Sequence, residues 1–130
     1  MGAYSPGYTP SEAELAYIRK LHDESSAFLA ICGGFQPAML AGVLAGKIAT
    51  APRFIVPELQ KQDPRTNWVE KRYVRDGKVW TSGALLNGQD MMAAFMMEYW
   101  PELTKVVSPL GGFPRRSEVY EGTDGLPVPL

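Results

Sequence analysis

Ser25-Ser26-Ala27-Phe28-Leu29-Ala30-Ile31-Cys32-Gly33-Gly34-Phe35 is the stretch that decides the fold. Ala27 to Ile31 is a short, continuous apolar run between a polar pair and a glycine pair. Its length and lack of polar alternation predict a strand buried on both faces. Such strands belong to parallel sheets covered by helices. Gly33-Gly34 breaks the run. Phe35 to Leu44 then predicts a helix, with Pro37 tolerated in its first turn and Gly46 placed to end it. Cys32 therefore falls where a buried strand turns sharply into a helix.

Upstream, Thr9-Pro10-Ser11-Glu12 predicts a helix start, with Thr9 as N-cap, Pro10 at the first helical position and Glu12 completing a capping box. Leu15, Ile18 and Leu21 recur at helical spacing, so this helix should run from about Pro10 to Asp23. Downstream, Lys47 to Ala51 predicts another short strand. Pro52 to Gln62 is either a helix interrupted by Pro57 or a loop with one helical turn. Asp63 to Asn67 is turn chemistry. Trp68 to Arg75 and Lys78 to Ser82 flank Asp76-Gly77, a strong hairpin signal. Asn87 is placed to cap a last helix, started by Asp90 and carrying Met91, Met92, Phe95, Met96 and Tyr99 as its apolar face. Trp100-Pro101 ends it. The order indicates an α/β layered domain over residues 1–100, followed by a Pro/Gly-rich irregular tail over 101–130. A central parallel strand needs a neighbour on each side, and few strands here supply one.

Composition bounds the function. Thirteen Lys+Arg against fourteen Asp+Glu argue against a nucleic-acid module built on a basic face. No apolar run approaches the roughly 20 residues of a membrane span, and residues 1–10 do not read as a signal peptide. A soluble, cytoplasmic protein is the expectation. One cysteine excludes an internal disulfide, and one histidine, His22, weighs against a multi-His metal site. Neither a metal nor a cofactor is expected.

Three effects converge on Cys32. A sharp strand-to-helix turn projects its side chain out of the sheet. A helix starting just after it favours negative charge on sulfur. The N–H groups of Gly33 and Gly34 can receive a developing oxyanion. The competing reading is a lone cysteine that simply fills a core.

Phe28 to Phe35, followed by Leu40-Ala41-Gly42-Val43-Leu44-Ala45-Gly46-Lys47-Ile48-Ala49-Thr50, resembles the ThiJ/PfpI family of the class I glutamine-amidotransferase-like superfamily. Arg72 to Gly83 resembles that family's hairpin, and Gly88-Gln89-Asp90 the helix after it. The resemblance covers about Ser5 to Trp100. It implies a flavodoxin-like three-layer sandwich, usually dimeric, with Cys32 as nucleophile. Activities in the family include isonitrile hydration, glyoxalase-type conversion, amide hydrolysis, and redox or chaperone roles. Two departures stand out. Family members begin with a strand bearing an acidic residue that hydrogen-bonds the cysteine, and this chain is expected to be truncated before it. Many also have a histidine after the Ala-Thr element, where this chain reads Ala51-Pro52-Arg53-Phe54. Ser5-Pro6-Gly7-Tyr8 looks like the family's Pro-Gly-Gly turn, which makes Gly7 a candidate second oxyanion donor.

His22 is expected near the end of the first helix as a solvated residue rather than a base. Glu12 and Glu14 read as capping or surface charges, Asp76 as a turn residue and Asp90 as a helix-start charge. Arg53 is a candidate for an anionic substrate, with a solvated side chain as the alternative. The Met91, Met92, Met96 and Met97 cluster reads as core or subunit interface. Trp68 and Trp80 either pack or wall a pocket. The expected function is a cysteine-dependent hydratase, hydrolase or glyoxalase-type lyase on a small electrophilic molecule. The alternative is a non-catalytic, redox-sensing or interaction protein. The expected partner beyond the substrate is a second copy or a complementing N-terminal segment.

Overall fold

The computed structural model describes residues 7–113 and 115–127. Part of the expected Ser5–Tyr8 turn lies outside them. The first helix, α1, spans Glu12–Glu24. It is capped by Ser11, not Thr9. Ser11 Oγ accepts the Glu14 N–H at 3.3 Å, while the Glu14 carboxylate accepts the Ser11 N–H at 2.8 Å. The shift follows from Pro10, which is buried and lies outside the helix, so the second Ser-x-x-Glu frame is the one used. Ile18 faces the core, Leu15 packs partly against it, and Leu21 stays exposed.

Strand β1 spans Phe28–Ile31. Phe28 and Ala30 are buried, whereas Leu29 and Ile31 are half-buried. A 3-10 turn, Cys32–Gly34, leads into helix α2, Phe35–Leu40. That helix is four residues shorter than expected. Gly42 takes a left-handed φ of +82° and its N–H bonds the Met39 carbonyl, closing the helix early. Strand β2, Ile48–Ala49, pairs in parallel with β3, Asn67–Trp68. Trp68 thus belongs to this pair and not to the hairpin. Between them lies helix α3, Val56–Gln62, which Pro57 opens rather than interrupts, because its missing N–H falls in the first turn.

The hairpin is β4, Tyr73–Asp76, and β5, Val79–Ser82, joined through Gly77 and Lys78. Gly77 has φ +61°, which suits the first central position of a two-residue loop. The strand order is β1-β5-β4, with β1 and β5 parallel and β4 and β5 antiparallel. Among the described residues β5, not β1, is the middle strand. On one face lies the core of Phe28, Ala30, Val79, Ala38, Leu44 and Trp68, joined by Val56 and Leu59. On the other lies helix α4, Asn87–Tyr99, whose Phe95 ring meets Trp80 edge-on at 5.5 Å. Sheet and flanking helices form an α/β sandwich, as the order of elements predicted.

The segment expected to be irregular from Pro101 begins with a fifth helix, α5, Pro101–Leu110. Two prolines suggested otherwise. Pro101, however, sits in the first turn and Pro109 one residue from the end, so neither disrupts the middle of the helix. Beyond Gly112 the chain is irregular and folds back onto β4 and α4.

Candidate active site

Cys32 is the one non-glycine residue among those described with a positive φ, at +50°. A left-handed backbone at a residue with a Cβ costs about 1–2 kcal/mol. Surrounding structure must hold it there. β1 fixes the residue before it by pairing Ile31 with Ser82, and the Phe35 N–H bonds the carbonyls of Cys32 and Gly33 after it. The left-handed residue of the elbow is the cysteine and neither neighbouring glycine; Gly34 has φ −62°. Gly33 and Gly34 are buried in the turn and Cys32 is half-buried.

The parallel register brings other groups to the same end of the sheet. The register ends with Ile31 opposite Ser82, so Cys32 and Gly83 each follow the last paired residue of neighbouring strands. A side chain at Gly83 would collide with the Tyr120 hydroxyl and meet Asn87 Oδ1 at 2.9 Å and the Ala51 carbonyl at 3.3 Å. Glycine is required there because the chain, the returning tail and the loop after β2 converge on it.

The tail is pinned over these strand ends by charge. Arg72 is 3% exposed. Its guanidinium donates to the Ser117 carbonyl at 3.0 Å, to the Val119 carbonyl, and to the Asp124 carboxylate at 2.6 Å. Arg53 donates to Glu70 at 3.0 Å and to the carbonyls of Gly122 and Asp124 at 2.9 and 2.8 Å. Both guanidinium groups lie over the Tyr120 ring, Arg53 at 5.0 Å and Arg72 at 5.3 Å. Burial pushes the Tyr120 phenol above its ordinary pKa, against the opposing pull of Arg72 and Arg53. It stays a neutral donor, bonding Asn87 Oδ1 at 3.0 Å. Asp90 is buried and paired with Arg116 at 2.8 and 3.2 Å, the hydrogen bond holding the Arg116 guanidinium above its ordinary pKa. A cavity of about 250 Å³ lies between the tail and the β5–α4 turn, lined by Arg72, Leu85, Asn87, Arg116, Tyr120 and Asp124.

The residues singled out from sequence are thus partly gathered. Cys32, Gly33 and Gly34 form the elbow. Arg53 is near the same end of the sheet, with its guanidinium engaged by Glu70 and the tail. Trp80 is buried between the sheet and α4, under Phe95 and with Arg75 over its ring at 5.2 Å. Gly7 lies on an exposed turn before α1, with φ +81°. His22 packs edge-on against Phe28 at 5.6 Å, at the start of β1. Four strand residues, about 13 Å, separate that position from Cys32. Asn87 is in the first turn of α4, but Leu86 is the capping residue. Sequence reasoning missed the roles of Arg72, Asn87 and Tyr120, and it read Asp90 as a helix-start charge only. Among the described residues, no group of three His, Cys, Asp or Glu side chains is placed to hold a metal ion. Nor is any helix among them long and apolar enough to cross a membrane.

A half-buried cysteine on a left-handed strand-to-helix turn, inside an α/β sandwich, has the local geometry of a nucleophile elbow. The model of the DJ-1/PfpI family matches residues 2–98, and the chain belongs to that family. Among solved structures, Drosophila melanogaster DJ-1beta is 20% identical, with 80% of this chain and 55% of that one covered at a TM-score of 0.64. A ThiJ/PfpI family protein from Pseudomonas syringae is 21% identical, with 76% and 42% covered at 0.61. A two-domain protein from Anabaena variabilis, with DJ-1/ThiJ/PfpI-like and ferritin-like domains, is 19% identical, with 68% and 25% covered at 0.57. These likenesses establish the flavodoxin-like fold. The chain spans about half the length of the first of these structures, or less of the others. No curated protein matches it.

Proposed function

We propose that Cys32 is the nucleophile of a cysteine-dependent hydratase, hydrolase or glyoxalase-type enzyme acting on a small electrophilic molecule. The observation that carries this reading is the φ of +50° at Cys32. Backbone strain at a non-glycine residue persists only where structure over-determines it, and such residues cluster at functional sites. A glycine would fill the turn without strain, so the thiol is what the strain retains. In the reaction, the Cys32 thiol gives up its proton to water, its sulfur adds to an electrophilic carbon and the π electron pair moves to that carbon's oxygen or nitrogen. The N–H groups of Gly33 and Gly34 stabilise that developing charge, with Gly7 as a further donor, and the heteroatom takes its proton from water. Turnover is completed when the S–C bond breaks, water or a substrate group taking the sulfur's place, and the sulfur is reprotonated by water. Arg53 contributes to the substrate side of the site once its tail contacts loosen.

The test is turnover of methylglyoxal, isonitriles and small amides by the purified chain, beside Cys32→Ala. Consumption of one class by the native chain and none by the variant is expected. Equal rates in both would overturn the nucleophile role.

The position of His22 favours a second reading, in which Cys32 is oxidised instead of turned over. The chain's one histidine stands at the far end of β1 and supplies no base at the elbow. Reversible, stoichiometric sulfenic acid formation with peroxide, in a chain that consumes none of the three substrates, would favour it.

A further inference from the structure

The guanidinium of Arg72 is buried, and the carboxylate it holds is not. The Arg72 side chain is 3% exposed and that of Asp124 is 52% exposed. The chain is exposed throughout residues 121–127. The cation is therefore a fixed part of the fold and the anion an exchangeable one. Arg72 presents its donors in two groups. Nη1 is committed to backbone, the carbonyls of Ser117 and Val119. Nε and Nη2 share the other edge of the planar group, an edge that can grip a carboxylate with two parallel bonds. Asp124 fills half of it: one oxygen, Oδ2, accepts from Nη2 at 2.6 Å. The Nε–H beside it is buried and has no acceptor among the described residues. A buried donor left unpaired is costly. Arg72 and Asp124 both line the cavity between the tail and the β5–α4 turn, so the half-filled edge is turned towards that cavity.

We propose that this cavity binds a small aliphatic monocarboxylate, gripped by both Nε and Nη2 of Arg72, and that Asp124 is an internal stand-in that yields when the ligand enters. Charge selects the ligand first. Asp124 is the one acid among the described residues lining the cavity, whereas Arg72 and Arg116 both line it. Arg116 is already matched by the buried Asp90. With Asp124 turned away, one positive charge is left unmatched, which one carboxylate neutralises. Shape selects next: a planar carboxylate fits the planar two-donor edge. The remaining wall decides the body of the ligand. Ala84, Leu85 and Leu86 are apolar and suit a short aliphatic chain. The Tyr120 hydroxyl is committed to Asn87 Oδ1 at 3.0 Å, so it calls for no second polar group on the ligand. Exchange asks little of the fold. Ser117 and Val119 keep their bonds to Nη1, and Asp124 has only to swing an exposed side chain, a fast rotamer change. The site is one of binding, so the proposal stands independently of what Cys32 does.

The test is a titration of the isotope-labelled full chain with butyrate, read by NMR at the Arg72 side-chain Nε–H. That resonance should shift saturably with butyrate. It should not move with butyramide, the uncharged counterpart, or with chloride at equal ionic strength. Asp124→Asn keeps a side-chain oxygen but removes the internal competitor's charge, and should tighten butyrate about tenfold. Arg72→Lys keeps the positive charge but loses the two-donor edge, and should weaken butyrate about tenfold. Cooperative melting checks that each variant is folded. If Arg72→Lys does not fold, Asp124→Asn decides alone, because it leaves the buried arginine in place. A purely structural Arg72–Asp124 pair predicts the opposite result for Asp124→Asn, a loosened tail with no gain in binding. Absence of saturable binding to both the native chain and Asp124→Asn, an equal response to butyramide, binding of inorganic phosphate as tight as that of butyrate, or unchanged affinity in a folded Asp124→Asn would overturn the proposal.

Discussion

Two sharp turns in this chain use the same backbone conformation and fill it with opposite residues. After α5 the left-handed position is Gly112, at φ +63°; after β1 it is Cys32, at φ +50°. A side chain at Gly112 would meet nothing within 4 Å, so glycine is there for its backbone alone. At the elbow two glycines stand next door, yet the left-handed residue is the cysteine. A turn that serves geometry takes the residue that costs least. A turn that keeps a strained thiol at the end of a parallel strand is what the proposed nucleophile role calls for.

The largest effect should come from removing the thiol. Cys32→Ser keeps the size and the strain of the elbow but exchanges sulfur for oxygen. Turnover, or covalent capture of an electrophile followed by mass spectrometry, should fall to background. Retained covalent modification at another residue would break the contrast between the two turns, because Cys32 would then be strained for no chemical return.

Next in size is Gly112→Val. With open space around it, the substitution costs only backbone conformation, about 2 kcal/mol for a β-branched residue held left-handed. Chemical denaturation should register that loss, with the m-value unchanged. The complementary change sharpens the comparison at smaller magnitude. Cys32→Gly should be about 1 kcal/mol more stable than Cys32→Ala, since glycine relieves the strain that alanine keeps. Both should be inactive. If alanine were the more stable, the elbow would not be strained in solution.

Sequence revealed one of these turns and concealed the other. The β1 elbow was legible because its signals are local: an apolar run, a break and a second helical segment within about a dozen residues. The hairpin was legible for the same reason, through Asp76-Gly77. What local pattern did not reveal is which residue of Cys32-Gly33-Gly34 is left-handed, since the glycines carry the usual expectation. Helix α5 was hidden by prolines whose effect depends on their position within it. The tail's anchoring was hidden by distance. Arg72 meets Ser117, Val119 and Asp124 about fifty residues downstream, and its partners are mostly backbone carbonyls, which have no sequence signature. The capping frame of α1 was misplaced by two residues because Thr9-x-x-Glu12 and Ser11-x-x-Glu14 offer competing readings, and only the second leaves buried Pro10 outside the helix.

That cap supplies the smallest effect and a third kind of helix end. Gly112 closes α5 with backbone bonds alone, so its contribution should not change with pH. The start of α1 depends on an ionised side chain. Hydrogen bonds from the Tyr8 hydroxyl at 2.5 Å, then from the Ser11 N–H and hydroxyl, hold the Glu14 carboxyl at about 2 against an ordinary 4.5. The same bond raises the Tyr8 phenol. A carboxyl depressed in the folded state contributes stability that is complete above the unfolded pKa and lost as pH falls through the folded one. The melting temperature of the native chain should therefore exceed that of Glu14→Gln at pH 7. The gap should hold down to about pH 4.5 and close by about pH 2. Because the cap is exposed, added salt should narrow the gap at neutral pH. A gap that stayed constant from pH 7 to 2 would mean that Glu14 acts through its shape and not its charge, and that α1 begins by the same pH-independent means by which α5 ends.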